Sequence, residues 1–352
     1  MKALILAGGE GTRLRPLTLN TPKPIVPVVN VPFLRYQIEL LTRHGIREII
    51  LSLAYQPHKI EAVLGDGSSF GANIRYVVEQ SPLGTAGAFK NAELLLNQAT
   101  VVFNGDILCD LDLSQVIQLH RSHHATATLV LTRVENPSAY GLVETLEDGS
   151  ITRFLEKPSE DEITCNTINA GAYILEPEVL LRIPAGQNFS FERGVFPSLL
   201  RDQKPVFAYV SEGYWIDIGT PQKYMQVHQD ILQRRFNPSL RPNYAAELDK
   251  LAHLPEMGGS ISVDENSIVG EGVDLGEGVK IRSSSIGDNC VVGKQVLIEN
   301  SVIWSGVVID ENARLSGCIV GRDCHIEHHA IVSGGVVLGD QSRVTAYSLL
   351  PN

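Results

Sequence analysis

Two different hydrophobic patterns divide the chain. Over residues 1–236, short apolar runs alternate with amphipathic stretches of helical period. Ala3-Leu4-Ile5-Leu6-Ala7 is long enough for one buried strand. A helix is expected over 32–44, with Pro32 at its start and Gly45 closing it. Strands follow at 48–53, 74–78 and 101–106, with helices at 57–64 and from the loop at 79–87 to about Asn97. Asp148-Gly149 reads as a hairpin turn, Ser190 as a helix cap, and residues 214–221 as a strand end opening a helix to about Phe236. This alternation predicts an α/β sheet.

Beyond Met257 the period changes to six. Val263, Val269, Leu275 and Ile281 begin the series, which restarts at Ile286, Ile303 and Val320 and runs on to Val344. Each restart drops one residue, and the slips recur every 17 positions. Smaller residues sit four positions after many of these anchors: Ser267, Val273, Cys290, Ala313, Cys324 and Ala330. The pattern predicts a hexapeptide-repeat β-helix with three short strands per coil. Between the two patterns, Pro238, Pro242 and Pro255 mark a linker. The expected division is therefore 1–236, linker 237–257, β-helix 258–345 and tail 346–352. Side faces rich in small residues suit packing between subunits, so a homo-oligomer is expected.

Composition narrows the function. The 352 residues are 43% apolar and 20% charged, with a net charge of −11. That charge argues against nonspecific grip on nucleic acid or an anionic membrane, so any phosphate must be held by local cations. No apolar run approaches the length of a membrane span. The first apolar run is too short for a signal sequence, and the expected compartment is the cytoplasm. Five cysteines, an odd number, argue against a disulfide framework. Cys318, Cys324, His325, His328 and His329 crowd together, which raises a structural metal. The repeat register counts against it, placing Cys324 in a small-residue slot and the histidines outside.

The candidate chemistry begins at Leu6. Leu6-Ala7 lead into Gly8, Gly9 and Gly11, then Thr12 and Arg13, with Arg15 and Thr21-Pro22-Lys23-Pro24 further on. Glycines let a backbone turn sharply and approach a ligand, and N–H groups in such a turn cradle anions. Arg13, Arg15 and Lys23 add positive charge, and the flanking prolines are expected to hold Lys23 extended. Taken alone, the glycines also suit a tight strand-to-loop connection, and their spacing is neither the dinucleotide fingerprint nor the P-loop. Asp106, at the end of an apolar strand, reads by itself first as a turn residue and second as a ligand-facing carboxylate. Glu156 and Lys157 of Phe-Leu-Glu-Lys-Pro point to opposite faces of a regular strand, and share a pocket only with a twist there or where the strand ends.

These stretches, together with 82–87, 104–106 and 214–221, resemble the nucleoside-diphosphate-sugar pyrophosphorylases. Within that family the likeness is strongest to mannose-1-phosphate guanylyltransferases bearing a C-terminal left-handed β-helix. The resemblance implies a Rossmann-like mixed-sheet nucleotidyltransferase domain ahead of that β-helix. It implies substrates that are a nucleoside triphosphate and a hexose 1-phosphate. It implies Mg2+ held by Asp106 and Asp217, with Arg13 and Lys23 at the phosphates. Leu6, Ala7, Gly8, Gly9, Gly11, Thr12 and Arg13, with Glu79, Pro82, Gly84, Thr85 and Ala86, would bind the nucleotide. Gly141, Glu156, Lys157, Asn169 and Gly171 would bind the sugar phosphate, the Asn169-Ala170-Gly171 run opening a strand. Glu79 stands where the family reads the base edge, and its carboxylate matches the two adjacent donors of guanine. The other reading of Glu79 is a strand end in solvent. Three alternatives to this function stay open. The first is a glucose-1-phosphate thymidylyl- or uridylyltransferase, and the second a non-catalytic regulatory subunit. In the third the β-helix is an acyltransferase using His325, His328 or His329.

Overall fold

The computed structural model of the protein describes residues 1–236 and 261–351, so the expected linker lies outside the described residues. By their contacts the residues form two units. One is Met1–Glu10 with Leu34–Trp215, the other Gly11–Phe33 with Ile216–Asn352.

The first unit is built on a nine-stranded sheet. Strands β1 (Lys2–Leu6), β2 (Glu48–Leu53), β3 (Asn73–Val78) and β4 (Thr100–Asn104) are parallel, in the order β4-β1-β2-β3. Helices α1 (Phe33–Arg43), α2 (Pro57–Leu64) and α3 (Gly84–Asn91) connect them. The other strands are β5 (Ala127–Arg133), β6 (Gly141–Thr145), β7 (Ile151–Glu156), β8 (Thr167–Leu175) and β9 (Val206–Val210). β8 runs antiparallel to β4, β5 and β6, which makes the sheet mixed as expected. Its core gathers Leu4, Val102, Leu129 and Tyr173 from the strands with Phe89, Phe191 and Phe196 from the helical side.

Two helices end sooner than their patterns suggest. α3 stops at Asn91, where the Ala92 N–H turns back to Phe89 in a tighter bond and a 3-10 turn follows over Glu93–Leu95. α4 (Pro221–Leu232) does not reach Phe236. Arg234 adopts a left-handed φ of 59°, and the Arg235 N–H returns to the Asp230 carbonyl, closing the helix as Schellman-type ends do.

In the second unit the six-residue pattern forms stacked coils. Its strands make three parallel sheets of six, five and five strands among the described residues. The anchors stack in register, Ile281 on Ile298 on Leu315 in one sheet and Ile286 on Ile303 on Val320 in the next. The last coil is one residue longer, since Val320 pairs with Leu338 and Val332 with Leu350. Gly334 and Gly335, both at positive φ, take up the extra length, and the coil reaches Leu349–Leu350. Cys290, Ala313, Cys324 and Ala330 fill the small slots and are buried. The thiol of Cys324 donates to the Gly339 carbonyl, His325 pairs with Asp310 at 2.9 Å, and His329 stacks on Tyr347.

One sheet differs from the others in what faces outward. Its outward row, Ile268, Ser285, Val302 and Ile319, is as buried as the anchors behind it. The corresponding rows elsewhere carry Lys280, Arg314 and Arg343 and stay exposed. The flank is covered. A charge placed there loses its water with no partner to replace it. Val302→Asp is therefore expected to lower unfolding free energy by at least about 2 kcal/mol. Val291→Asp, at a position 45% exposed, should stay within about 0.5 kcal/mol of the parent. Urea unfolding of the two variants measures the difference.

Candidate active site

In the first unit the site forms where β1 and β4 end side by side, Leu6 opposite Asn104. With β2 on the other flank of β1, this is the point where strand order reverses, and open α/β sheets bind ligands there. The Gly105 N–H donates to the Leu6 carbonyl at 2.9 Å, and a Cβ on Gly105 would stand 2.7 Å from that oxygen. Only glycine lets the two chains leave the sheet this close. They deliver Ala7, Gly8 and Gly9 from one strand and Asp106 from the other. No atom lies within 4 Å of a Cβ placed on Gly9, so its backbone faces open space. Asn104, whose site role the sequence reading did not assign, holds a buried Oδ1 with no hydrogen-bond partner among the described residues.

Glu79 does not end its strand in solvent. It is 9% exposed, and its two oxygens accept from Ser52 Oγ and the Leu83 N–H, each at 3.0 Å. Gly8 packs directly on it, for a Cβ there would meet Glu79 Oε1 at 2.7 Å. Pro82 and Gly84 are exposed at the start of α3. The Ala86 N–H is already engaged by the Phe189 carbonyl at 3.0 Å. The Thr85 hydroxyl donates to Glu192 Oε2 at 2.8 Å.

Glu192 was missed. The sequence marks only the cap before it, Ser190, whose hydroxyl does accept from the N–H groups of Glu192 and Arg193. Around that cap the chain makes a π-helical turn, Phe191–Val195, of the kind that often accompanies functional sites. Glu192 gathers Thr85, Ser190 and Tyr173, and the Tyr173 hydroxyl in turn accepts from Asn169 Nδ2 at 2.8 Å. Burial, with the Glu192 charge behind it, holds the Tyr173 phenol well above its ordinary pKa. Asn169 and Gly171 do not open β8 but interrupt its middle, where the register shifts and Gly171 takes a φ of 75°.

β7 stops at Glu156, and Lys157 turns to a φ of 53°. That break removes the opposite-face constraint on the pair. Glu156 lies 3.0 Å from a Cβ built on Gly141. Burial first, and then the negative charge of Glu192, raise the pKa of Glu156.

The remaining candidates belong to the second unit. Gly11, at a φ of 66°, lets the Lys23 stem lie against it, a built Cβ meeting Lys23 Cβ at 2.9 Å. Thr18 Oγ1 donates to the Gly11 carbonyl at 2.8 Å and closes the loop. Thr12–Leu14 and Lys23–Ile25 are both 3-10 turns, so Lys23 is not extended between its prolines. Bonds from Ile25 to Pro22 and from Val26 to Lys23 outweigh the bias that a following proline imposes. Lys23 is 8% exposed, whereas Arg13 is exposed. The Arg13 guanidinium and the Asp217 carboxylate flank Gly219, at 3.2 and 3.0 Å from a Cβ placed there. Lys223 pairs with Asp217 and was also missed. A lysine in the first turn of a helix opposes the helix dipole, and that local conflict was the available signal.

For a metal, Asp106 stands in the first unit and Asp217 in the second. Their oxygen donors fit a hard divalent ion that takes one or two carboxylates and completes its shell with phosphate oxygens and water. No grouping of three or more His, Cys, Asp or Glu forms a cage among the described residues.

A switch-point edge that presents a glycine turn from one strand and Asp106 from the next defines an α/β fold suited to nucleotide phosphates. Residues 2–234 match the nucleotidyl transferase family and residues 255–349 the LbH domain of the EIF2B epsilon subunit. A mannose-1-phosphate guanylyltransferase of Mycobacterium tuberculosis is 41% identical, over 84% of this chain and 82% of its own. A UTP–glucose-1-phosphate uridylyltransferase of Synechocystis is 34% identical, over 85% and 82%. The crystal structure of HddC from Yersinia pseudotuberculosis complexed with GMP-PN superposes with a TM-score of 0.56 at 31% identity, covering 65% of this chain and 99% of that one. The chain belongs to the nucleotidyl transferase family, among the sugar-1-phosphate nucleotidyltransferases that carry a left-handed β-helix. No helix among the described residues is long and apolar enough to cross a membrane.

The raised pKa of Glu156 has a definite sign. The folded state holds its proton more tightly than the unfolded chain, so this group favours folding at low pH and opposes it as pH rises through the folded pKa. Glu156→Gln is expected to raise the melting temperature at pH 8, with the gain disappearing towards pH 4. Thermal unfolding of both proteins across that range checks it.

Proposed function

We propose that the protein transfers GMP from GTP to mannose 1-phosphate, releasing pyrophosphate and GDP-mannose. The observation that carries the reading is the shared edge at Leu6 and Asn104, which sends the glycine loop and Asp106 to one crevice. A phosphate oxygen of the hexose 1-phosphate attacks the α-phosphorus. The new P–O bond forms as the bond to the bridging oxygen breaks, and pyrophosphate leaves with that electron pair. No covalent enzyme intermediate is needed, so alignment and charge neutralisation suffice. Arg13 and the backbone of Gly8, Gly9 and Gly11 hold the leaving pyrophosphate. Lys23 and Lys157 neutralise the reacting phosphates. Asp106 and Asp217 would hold Mg2+, which when bound would offset charge on the phosphate oxygens. Lys223 keeps the Asp217 carboxylate compensated until then. Glu156 and Asn169 meet the sugar hydroxyls, Asn169 braced through Tyr173 and Glu192. All five cysteines are free thiols, which supports the cytoplasm as the working compartment.

Base choice falls to Glu79. Each carboxylate oxygen accepts one bond, from Ser52 or Leu83, and keeps lone-pair capacity for a second donor, and guanine offers two adjacent ones. Uracil and thymine set carbonyls against it. The names of the relatives include both guanylyl- and uridylyltransferases, so a nucleotide panel is the deciding assay. GTP with mannose 1-phosphate should give the highest kcat/KM. Glu79→Gln should erode the preference over UTP and dTTP by about 5- to 150-fold, the worth of one bidentate base contact. A parent protein that prefers UTP would overturn the assignment. Asp106→Asn and Asp217→Asn should each leave the fold intact and cut turnover by orders of magnitude at saturating magnesium. A variant that keeps a quarter of the parent rate removes that residue from the metal site.

A further inference from the structure

We infer that the β-helix is a working part of the nucleotide site: Trp304 and the coil at Ser285–Ile286 are positioning groups that hold the loop of Arg13 and Lys23 in shape. The inference rests on that loop being the phosphate clamp proposed above.

The loop ends in a hairpin, Pro27–Val28 against Val31–Pro32, joined by Val29 and Asn30. Both turn residues have positive φ, 49° and 63°. Such a two-residue turn ordinarily uses Asn-Gly, and a β-branched residue in this region is strained. It persists only where its surroundings over-determine it. Here they do. The Val29 N–H donates to His228 Nδ1 of α4 at 3.3 Å. Asn30 Nδ2 donates to the Ile286 carbonyl at 2.7 Å, and Ser285 Oγ donates back to Asn30 Oδ1 at 3.2 Å. Burial pulls His228 down to about 3, so its ring stays neutral, and the bond from Val29 sets the tautomer protonated at Nε2 with Nδ1 as acceptor.

A second support comes through Tyr224 of α4. Its hydroxyl donates to the Pro27 carbonyl and accepts from the Trp304 indole N–H at 3.0 Å. Trp304 and Tyr224 are both fully buried, so neither group can turn to water instead. A third support lies further along the coils. Asn20 Nδ2 reaches Asp340 at 3.3 Å, and Pro16 packs on Gly339 so closely that a Cβ there would stand 3.0 Å away. Arg13 comes shortly before Pro16, and Lys23 falls between Asn20 and Pro27. Each functional cation therefore has an anchor next to it in the chain. Ser285, which Asn30 engages, is itself a member of the buried outward row of Ile268, Val302 and Ile319. A β-helix used only for assembly has no need of such a row inside its own chain. Rigid placement of an anion-binding loop raises affinity by removing the ordering cost at each binding event.

The test uses full-length Trp304→Phe, which keeps an aromatic ring and removes the N–H, and Asn30→Ala, which removes the coil anchors. Val291→Ala, on an exposed position of another sheet, is the control. Forward and reverse kinetics give KM for GTP, hexose 1-phosphate and pyrophosphate separately. Loss of one such support should raise KM for GTP and pyrophosphate about five- to tenfold, leaving KM for hexose 1-phosphate within twofold. Melting curves confirm that each variant is folded at the assay temperature. The inference is overturned if both variants keep parental KM for GTP and pyrophosphate, or if all three constants rise together. Arg13→Ala separates the two levels. If it raises KM for pyrophosphate while the Trp304 and Asn30 variants do not, the brace alone is wrong. If Arg13→Ala also leaves that KM unchanged, the phosphate-clamp reading falls and the brace with it.

Discussion

The hydrogen bond from Gly105 to the Leu6 carbonyl ties together the ends of two parallel strands that carry different parts of the site. Parallel neighbours have their carboxyl ends on one side, and at a switch in strand order the connections depart in opposite directions and leave a crevice. How near the two backbones come is then a matter of side-chain volume. At Gly105 even a methyl group would collide with Leu6 and Ala7. The glycine loop and Asp106 are thus offered to a ligand from a single edge, set by backbone packing before any charged side chain is considered.

Electrostatics around that edge is arranged locally, as a chain of net charge −11 requires. Buried carboxylates are costly unless several donors meet them. Glu79 has Ser52 and Leu83, and Glu192 has Thr85, Ser190 and Tyr173. Both serve as struts between segments distant in sequence. Glu156 has no such escort and keeps a raised pKa through burial and the charge of Glu192. A carboxylate left under-compensated is poised to accept hydroxyl donors from a sugar, and its cost to the free protein is the counterpart of that readiness.

The second unit joins the loop at Gly11–Phe33 to coils more than two hundred residues away in sequence. Contacts of such separation close a very long loop, whose entropic cost must be met before they add stability. The strained turn at Val29-Asn30 therefore has its partners only in the finished molecule. This also gives the two flanks of the β-helix different work. One apolar row is spent within the chain, while the rows bearing Lys280, Arg314 and Arg343 remain open to solvent.

Periodicity was enough to read the element types, because a 3.6-residue stripe, a buried strand and a six-residue anchor series each leave a local imprint. The slips every 17 residues identified the coils, and the glycine-threonine-arginine loop and the Asn-Gly-Asp strand end identified the chemistry. What escaped was whatever depends on a partner far along the chain. Glu192 is an ordinary residue after a cap until Tyr173 and Thr85 fold against it, and Lys223 is one more surface lysine until Asp217 lies beside it. Asn169 looks like the start of a strand until β8 is seen to pair on both edges and break register there. Ile268, Val302 and Ile319 each precede an anchor and form an outward apolar row, but exposure is a property of what covers a face, and a linear pattern does not contain it. Local sequence determined the elements and the residue types of the site. Tertiary structure alone decided which carboxylates brace, which side chains are buried and where Lys23 is held, because those outcomes depend on contacts that no short segment encodes.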